Sequence, residues 1–162
     1  MGDRLSHVGP DGAPRMVDVS AKAETRRVAV AAGRVRFSPG TLARVLAGDL
    51  PKGPVLETAR LAGVLGAKRT SDLIPLCHPL RLSDVDVRFR PAPPDAVEIE
   101  AEVVAVDRTG VEMEALTAVA VAALTVYDMV KAVDKGVVIG EIRLLRKEGG
   151  RSGAYVRPAE GG

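Results

Sequence analysis

The run Leu76-Cys77-His78 puts a thiol beside an imidazole, between Pro75 and Pro79. A proline fixes its own φ and pushes the residue before it to extended backbone, so His78 is held in place. A fixed imidazole can move protons near neutral pH or contact an anion. The same residues also suit a stiff loop with a buried thiol and a surface histidine. Cys77 and His78 alone do not make a zinc site, which needs three or four ligands. The only other histidine is His7.

A second group is Glu112, Met113 and Glu114. Thr109-Gly110-Val111-Glu112 has capping-box spacing, with Thr109 at the N-cap. On motif logic alone, charge at a helix start is the preferred explanation of both carboxylates. A third group, Asp128 and Lys131, is spaced i,i+3 near the end of an otherwise apolar helix. Burying them is costly unless they are paired or used, and an ordinary ion pair at a helix end is the alternative. Glu114 and Asp128 share one side of that helix but lie about 20 Å apart along it. One helix cannot bring both to one reacting atom; a large substrate or a second subunit can. The remaining candidates are cations. Lys52 precedes Gly53 at a helix start, and Lys68 and Arg69 end that helix. Each suits a phosphate or a solvated helix end. Lys147-Glu148-Gly149-Gly150-Arg151-Ser152-Gly153 suits a phosphate-binding, closing loop, although it lacks the spacing and following helix of a P-loop.

The elements that must position these groups follow from hydrophobic period. Val-rich residues 26–37 predict a strand. Ser38, as N-cap, and Pro39 predict a helix to about Ala47. Val55, Leu56, Ala59, Ala62 and Ala67 keep helical spacing to Lys68. Residues 70–80 read as one helical turn and a structured loop. Residues 81–91 and 97–106 alternate and predict a hairpin turning at the prolines between them. The apolar run after Glu112 predicts a buried helix to about Val133, and 137–147 a last strand. With one helix extra, the order is β-α-β-β-α-β, a ferredoxin-like α+β fold with a four-stranded antiparallel sheet. The sheet face away from the helices must be wet or covered by another subunit, and its valines favour the second. Residues 1–15 read as a mobile arm, 16–148 as a single domain and 149–162 as a flexible Gly-rich tail.

Composition narrows the function. Of 162 residues, 23 are Lys or Arg and 21 Asp or Glu, so the net charge of +2 argues against a basic nucleic-acid coat. Only Phe37, Phe89, Tyr127 and Tyr155 are aromatic, too few for a base-stacking platform. A core of Val, Ala, Leu and Ile buries modest area per side chain, which favours a homo-oligomer. The single Cys77 forms no internal disulfide and fits a reducing cytoplasm. No stretch reads as a membrane span or a secretion signal.

Taken together, the chain resembles the molybdenum cofactor biosynthesis protein C family, the cyclic pyranopterin monophosphate synthases. The resemblance rests on MVDVSAKAETRR at 16–27, KGPVLETARLAGVLGAKRTSDLIPLCHPL at 52–80, TGVEMEALTAVAVAALTVYDMVKAVDKG at 109–136 and IRLLRKEGGRSG at 142–153. One departure is Pro54, where relatives often carry an acidic residue. The resemblance implies a lyase that converts 3′,8-cyclo-7,8-dihydroguanosine 5′-triphosphate, made from GTP by an upstream radical enzyme, to cyclic pyranopterin monophosphate and diphosphate. It implies a ferredoxin-like fold and a hexamer, a trimer of dimers, with the site at a dimer interface. Carried over residue by residue, catalysis falls on Asp128, Lys131 and Lys52. Substrate binding falls on Leu76, Cys77, His78, Glu112, Met113, Glu114 and Lys68. Asp128 and Lys131 are expected to transfer protons, Lys52, Lys68 and His78 to meet phosphate, and Glu112 and Glu114 to orient the guanine-derived ring. No tightly bound cofactor or metal site is expected; a divalent cation accompanying the triphosphate is left open. The expected partners are the substrate, further copies of the chain and, functionally, the upstream radical enzyme, with neither nucleic acid nor membrane. The rival classes are a ligand-sensing ferredoxin-like module and an RNA-binding sheet.

Overall fold

The structure, a computed structural model, describes residues 6–159. The predicted arm and tail extend to 1–5 and 160–162, which lie outside the described residues. Strand β1 (Thr25–Arg36) is followed by helices α1 (Thr41–Ala47), α2 (Val55–Lys68) and α3 (Thr70–Leu73), strands β2 (Leu82–Ala92) and β3 (Ala96–Asp107), helix α4 (Glu112–Val130), and strands β4 (Val138–Glu148) and β5 (Tyr155–Val156). The sheet order is β2-β3-β1-β4-β5, antiparallel throughout. Its first four strands have the predicted ferredoxin-like order. The sheet has five strands where four were predicted. The Gly-rich turn after β4 brings Tyr155 opposite Lys147 and Val156 opposite Arg146, adding a two-residue edge strand.

Strand alternation decides the layers. Ala29, Ala31 and Val35 of β1 and Val97, Ile99, Ala101, Val103 and Ala105 of β3 point to one face and are buried in the core. On that face lies α4, through Ala115, Ala118, Val119, Ala122 and Val126, with α2 beside it. The seam is built from small residues. A Cβ on Gly33 would lie 2.6 Å from Cγ1 of Val119, so a larger residue there pushes α4 off β1. Helix α4 is long and apolar enough to cross a membrane, yet this buried stripe makes it the core helix of the layer.

The opposite face of the sheet carries charged pairs around a buried apolar strip, Val28, Val30 and Ala32 of β1. Alternate residues of β3 pair with neighbouring strands: Glu98 with Arg34 at 3.1 Å, Glu100 with Arg88 and Arg90 at 3.6 Å, and Glu102 with Arg146 at 2.6 Å. Half-exposed pairs like these stabilise little individually, but a one-residue slip in register would turn every one of them to the core face.

Two helix starts differ from prediction. Ser38 is not the N-cap of α1, which begins at Thr41 after a left-handed Gly40. Its N–H and Oγ–H both donate at 2.8 Å to the buried Asp134 instead. Thr109 and Glu112 form no capping box either: Glu112 is the first residue of α4, and no side chain caps the start. The fully buried Val111 anchors the entry, leaving Thr109 too far upstream to reach the first free N–H groups.

Candidate functional site

The N-terminal end of α4, the loop after α3 and the chain before β1 enclose a cavity of about 480 Å³. Leu76, Cys77, His78, Glu112, Met113 and Glu114 all line it. The loop is fastened at its root. Thr70 Oγ1 donates to the Ala67 carbonyl at 2.9 Å, Ile74 N–H to Thr70 O at 2.9 Å and Cys77 N–H to Ile74 O at 3.1 Å. His78 is held from across the cavity, with Nε2 2.8 Å from the carbonyl oxygen of Val17. His7, Val17, Val19 and Lys22 complete that wall.

The cavity's electrostatics follow from burial. Glu114 is 4% exposed, and desolvation, with the nearby charges of Glu112 and Asp107, raises its pKa to about 7. It therefore titrates near neutrality and can donate or accept a proton. Burial, with Glu114 beside it, also raises the Cys77 thiol above its ordinary value. Cys77 is thus a neutral wall atom rather than a thiolate nucleophile.

A second cavity, of about 650 Å³, shares Lys22, Thr109, Gly110 and Glu112 with the first. Its lining carries five cations: Lys22, Arg27, Arg108, Lys147 and Arg151. Arg27 is buried. Its Nε–H donates to Asp107 O at 3.2 Å and its Nη2–H to Arg108 O at 3.1 Å. Gly149 and Gly150, at φ 96° and 81°, turn the chain directly over this guanidinium. A Cβ on Gly150 would lie 2.9 Å from Arg27 Cζ. Lys147 donates to Ser152 Oγ and stands 3.9 Å from Glu112. Several cations on one concave wall make a site for a polyanion.

The remaining predicted residues lie elsewhere. At the C-terminal end of α4, Asp128 is clamped between two ammonium groups. Lys131 Nζ is 2.7 Å from Oδ1, and Lys52 Nζ donates to Oδ2 at 2.8 Å and to the Asp128 carbonyl at 3.0 Å. Lys52 lies just ahead of α2, so the start of α2 meets the end of α4. Hydrogen bonds from Lys131 and Lys52 pull the Asp128 carboxyl down to about 2, and the bond to Asp128 holds the Lys131 ammonium above its ordinary pKa. The cluster is half-exposed and lines neither cavity. Asp128 lies fourteen positions beyond Glu114 on α4, about 20 Å of rise. Lys68 is exposed at the end of α2 and also lines neither cavity. Among the described residues, no group of three or more His, Cys, Asp or Glu is placed to hold a metal.

Sequence reasoning missed four contributors. Arg27 shares strand parity with Ala29 and Ala31, so an arginine aimed at the core side was a readable signal. Lys22 and Arg108 gave none. Asp134, buried at the root of β4, accepts from Ser38 N–H and Oγ–H and from Gly136 N–H at 2.9 Å. Burial acts to raise its pKa, but these hydrogen bonds outweigh burial and hold it low. Asp134 thereby anchors the turn that carries Lys131.

A carboxylate-and-histidine cavity beside a polycationic one suits a substrate with a hydrogen-bonding ring and a phosphate chain. The chain is 60% identical over 153 residues to the cyclic pyranopterin monophosphate synthase of Roseiflexus sp. (strain RS-1), covering 94% of this chain and 97% of that one. It is 59% identical over 160 residues to the protein of the same name from Streptomyces griseus, covering 99% and 90%. With the synthase of Desulfitobacterium hafniense the identity is 54%, covering 94% of each. The MoaC family model matches residues 16–150, which contain both cavities' principal walls and the Lys52–Asp128–Lys131 cluster, and the chain belongs to the MoaC family.

Proposed function

We propose that this chain is a cyclic pyranopterin monophosphate synthase, a lyase of molybdenum cofactor biosynthesis. It converts 3′,8-cyclo-7,8-dihydroguanosine 5′-triphosphate to cyclic pyranopterin monophosphate and diphosphate. The observation that carries this reading is the wall shared by the two cavities. Glu112 faces both, so a ring held on one side places its phosphates on the other.

In this reading Leu76 and Met113 pack on the guanine-derived ring, while Glu112, Glu114 and His78 take its polar edge. Glu114 exchanges a proton with a ring nitrogen or oxygen as the ring is opened and rebuilt, its pKa near neutrality suiting both directions. Lys22, Arg27, Arg108, Lys147 and Arg151 hold the triphosphate and neutralise the charge that develops on the leaving diphosphate. A ribose-derived hydroxyl oxygen bonds to the α-phosphorus, the bond to the bridging oxygen breaks, and the hydroxyl proton passes to a base. Phosphate binding thus moves from Lys52, Lys68 and His78, the sequence expectation, to the basic cavity.

The Lys52–Asp128–Lys131 cluster joins the site from a second copy of the chain. Asp128, ionised at neutral pH, holds the two ammonium groups, and Lys131 serves as proton donor once substrate separates the pair. This requires a homo-oligomer with sites at subunit interfaces, a hexamer built as a trimer of dimers. No tightly bound cofactor takes part; a divalent cation can accompany the triphosphate. The upstream partner is the radical enzyme that forms the substrate from GTP, in the cytoplasm. The test is turnover: purified protein with the cyclised triphosphate is expected to release diphosphate and cyclic pyranopterin monophosphate together. Binding without product would favour a ligand-sensing module instead.

A further inference from the structure

We infer that Gly110 is a positioning residue for the Glu112 carboxylate, supplying the empty volume into which that side chain folds between the two cavities. The inference rests on the placement of Glu112 in the active site. The three atoms nearest to a Cβ built on Gly110 all belong to the Glu112 side chain. Such a Cβ would overlap Oε2 and lie 2.7 Å from Cδ and 2.9 Å from Oε1. The backbone of Gly110 is not in the left-handed region, so nothing in its φ demands glycine. Its neighbours 108 and 109 line the basic cavity and its own atoms line both. What glycine provides here is therefore not conformational freedom but absence of a side chain.

The consequence is specific. The obstacle to a methyl group is the far end of a flexible side chain rather than backbone or core. An alanine is thus accommodated by swinging the carboxylate away, with the fold intact. Glu112 is poorly restrained by other means. It makes no capping bond at the helix start, and Lys147 at 3.9 Å is its one ion-pair partner among the described residues. Helix geometry sets where its Cα stands; the space over Gly110 sets where its charge stands, facing the ring cavity and Lys147 at once. A carboxylate displaced by about an ångström loses orientation toward substrate, a loss of about tenfold to hundredfold.

The test is a double-mutant cycle of wild type, Gly110→Ala, Glu112→Ala and the double variant, each followed by kcat/KM and by thermal unfolding. Gly110→Ala is expected to lower kcat/KM about tenfold or more with little change in Tm. In the Glu112→Ala background the added methyl has nothing to displace, so the double variant should match Glu112→Ala alone. Additive losses would overturn the inference, as would wild-type kcat/KM in Gly110→Ala beside an impaired Glu112→Ala. A Tm collapse on Gly110→Ala in both backgrounds would do so too, by making Gly110 a backbone requirement. Wild-type turnover in Glu112→Ala would instead overturn the placement of Glu112 itself.

Discussion

The two ends of α4 carry the same functional group in opposite states. At the N-terminal end Glu114 is buried with Glu112 and Asp107 for neighbours, and its carboxyl is pushed up to about 7. At the C-terminal end Asp128 is half-exposed between Lys131 and Lys52, and its carboxyl is pulled down to about 2. Removal from water favours the neutral acid, while donated hydrogen bonds and positive charge favour the anion. One helix thus supplies a group ready to exchange protons and an anion that keeps two cations in place. Residue type alone does not separate these roles; environment does.

The largest predicted effect breaks the C-terminal end. Lys131→Ala and Asp128→Ala should each lower kcat by about a thousandfold with the fold retained, since both side chains are half-exposed. Wild-type-like turnover in either would remove that end from the chemistry.

A smaller effect sharpens the contrast at the N-terminal end. Glu114 binds its proton more tightly in the folded chain than in the unfolded one. Stability should therefore fall as pH rises from the ordinary value of 4.5 through about 7. Glu114→Gln removes that ionisation. Its stability relative to wild type should improve by roughly 1–3 kcal/mol between about pH 5 and pH 8, read by denaturant unfolding at each pH. A pH-independent difference would show that Glu114 titrates normally. Asp128 has the opposite sign. Its stabilisation is present above the ordinary value of 3.8 and is lost only as pH falls through about 2.

The smallest effect concerns the anchor of the C-terminal end. Ser38→Ala removes one donor from Asp134 and leaves the Ser38 and Gly136 N–H groups in place. Unfolding free energy should drop by about 1 kcal/mol. An unchanged value would mean that the backbone N–H groups and the Thr41 side chain suffice for Asp134.

The layers and the groups at each end of α4 are legible in the sequence, but their opposite protonation states are not. Alternation in β2 and β3 and the apolar run of α4 reported burial directly, whereas β1, only partly alternating, is buried on both faces. The Cys77-His78 loop and the Glu112-Met113-Glu114 run announced themselves as polar residues among prolines and apolar neighbours. What failed were statements about helix starts. Ser38 and Thr109 have the side chains of N-caps, but a buried Asp134 and a buried Val111 compete for the same stretches of chain, and tertiary contacts prevailed. The fifth strand was hidden for a similar reason: Tyr155 and Val156 are too short a run to register until β4 offers an open edge. The basic cavity was only half visible, since Lys147 and Arg151 are local to one loop. Arg27, Arg108 and Lys22 reach it from separate elements brought together only by folding.

In the proposed assembly the two ends of α4 meet in one site only when two copies of the chain face each other. Co-expression of Lys131→Ala with Glu112→Ala tests it directly. Each variant alone is expected to be nearly inactive. A symmetric interface with random pairing restores one intact site in each mixed dimer, and so about a quarter of wild-type activity. Activity no higher than that of the separate variants, in assemblies shown to contain both chains, would contradict the account and return the Lys52–Asp128–Lys131 cluster to the status of a surface ion pair.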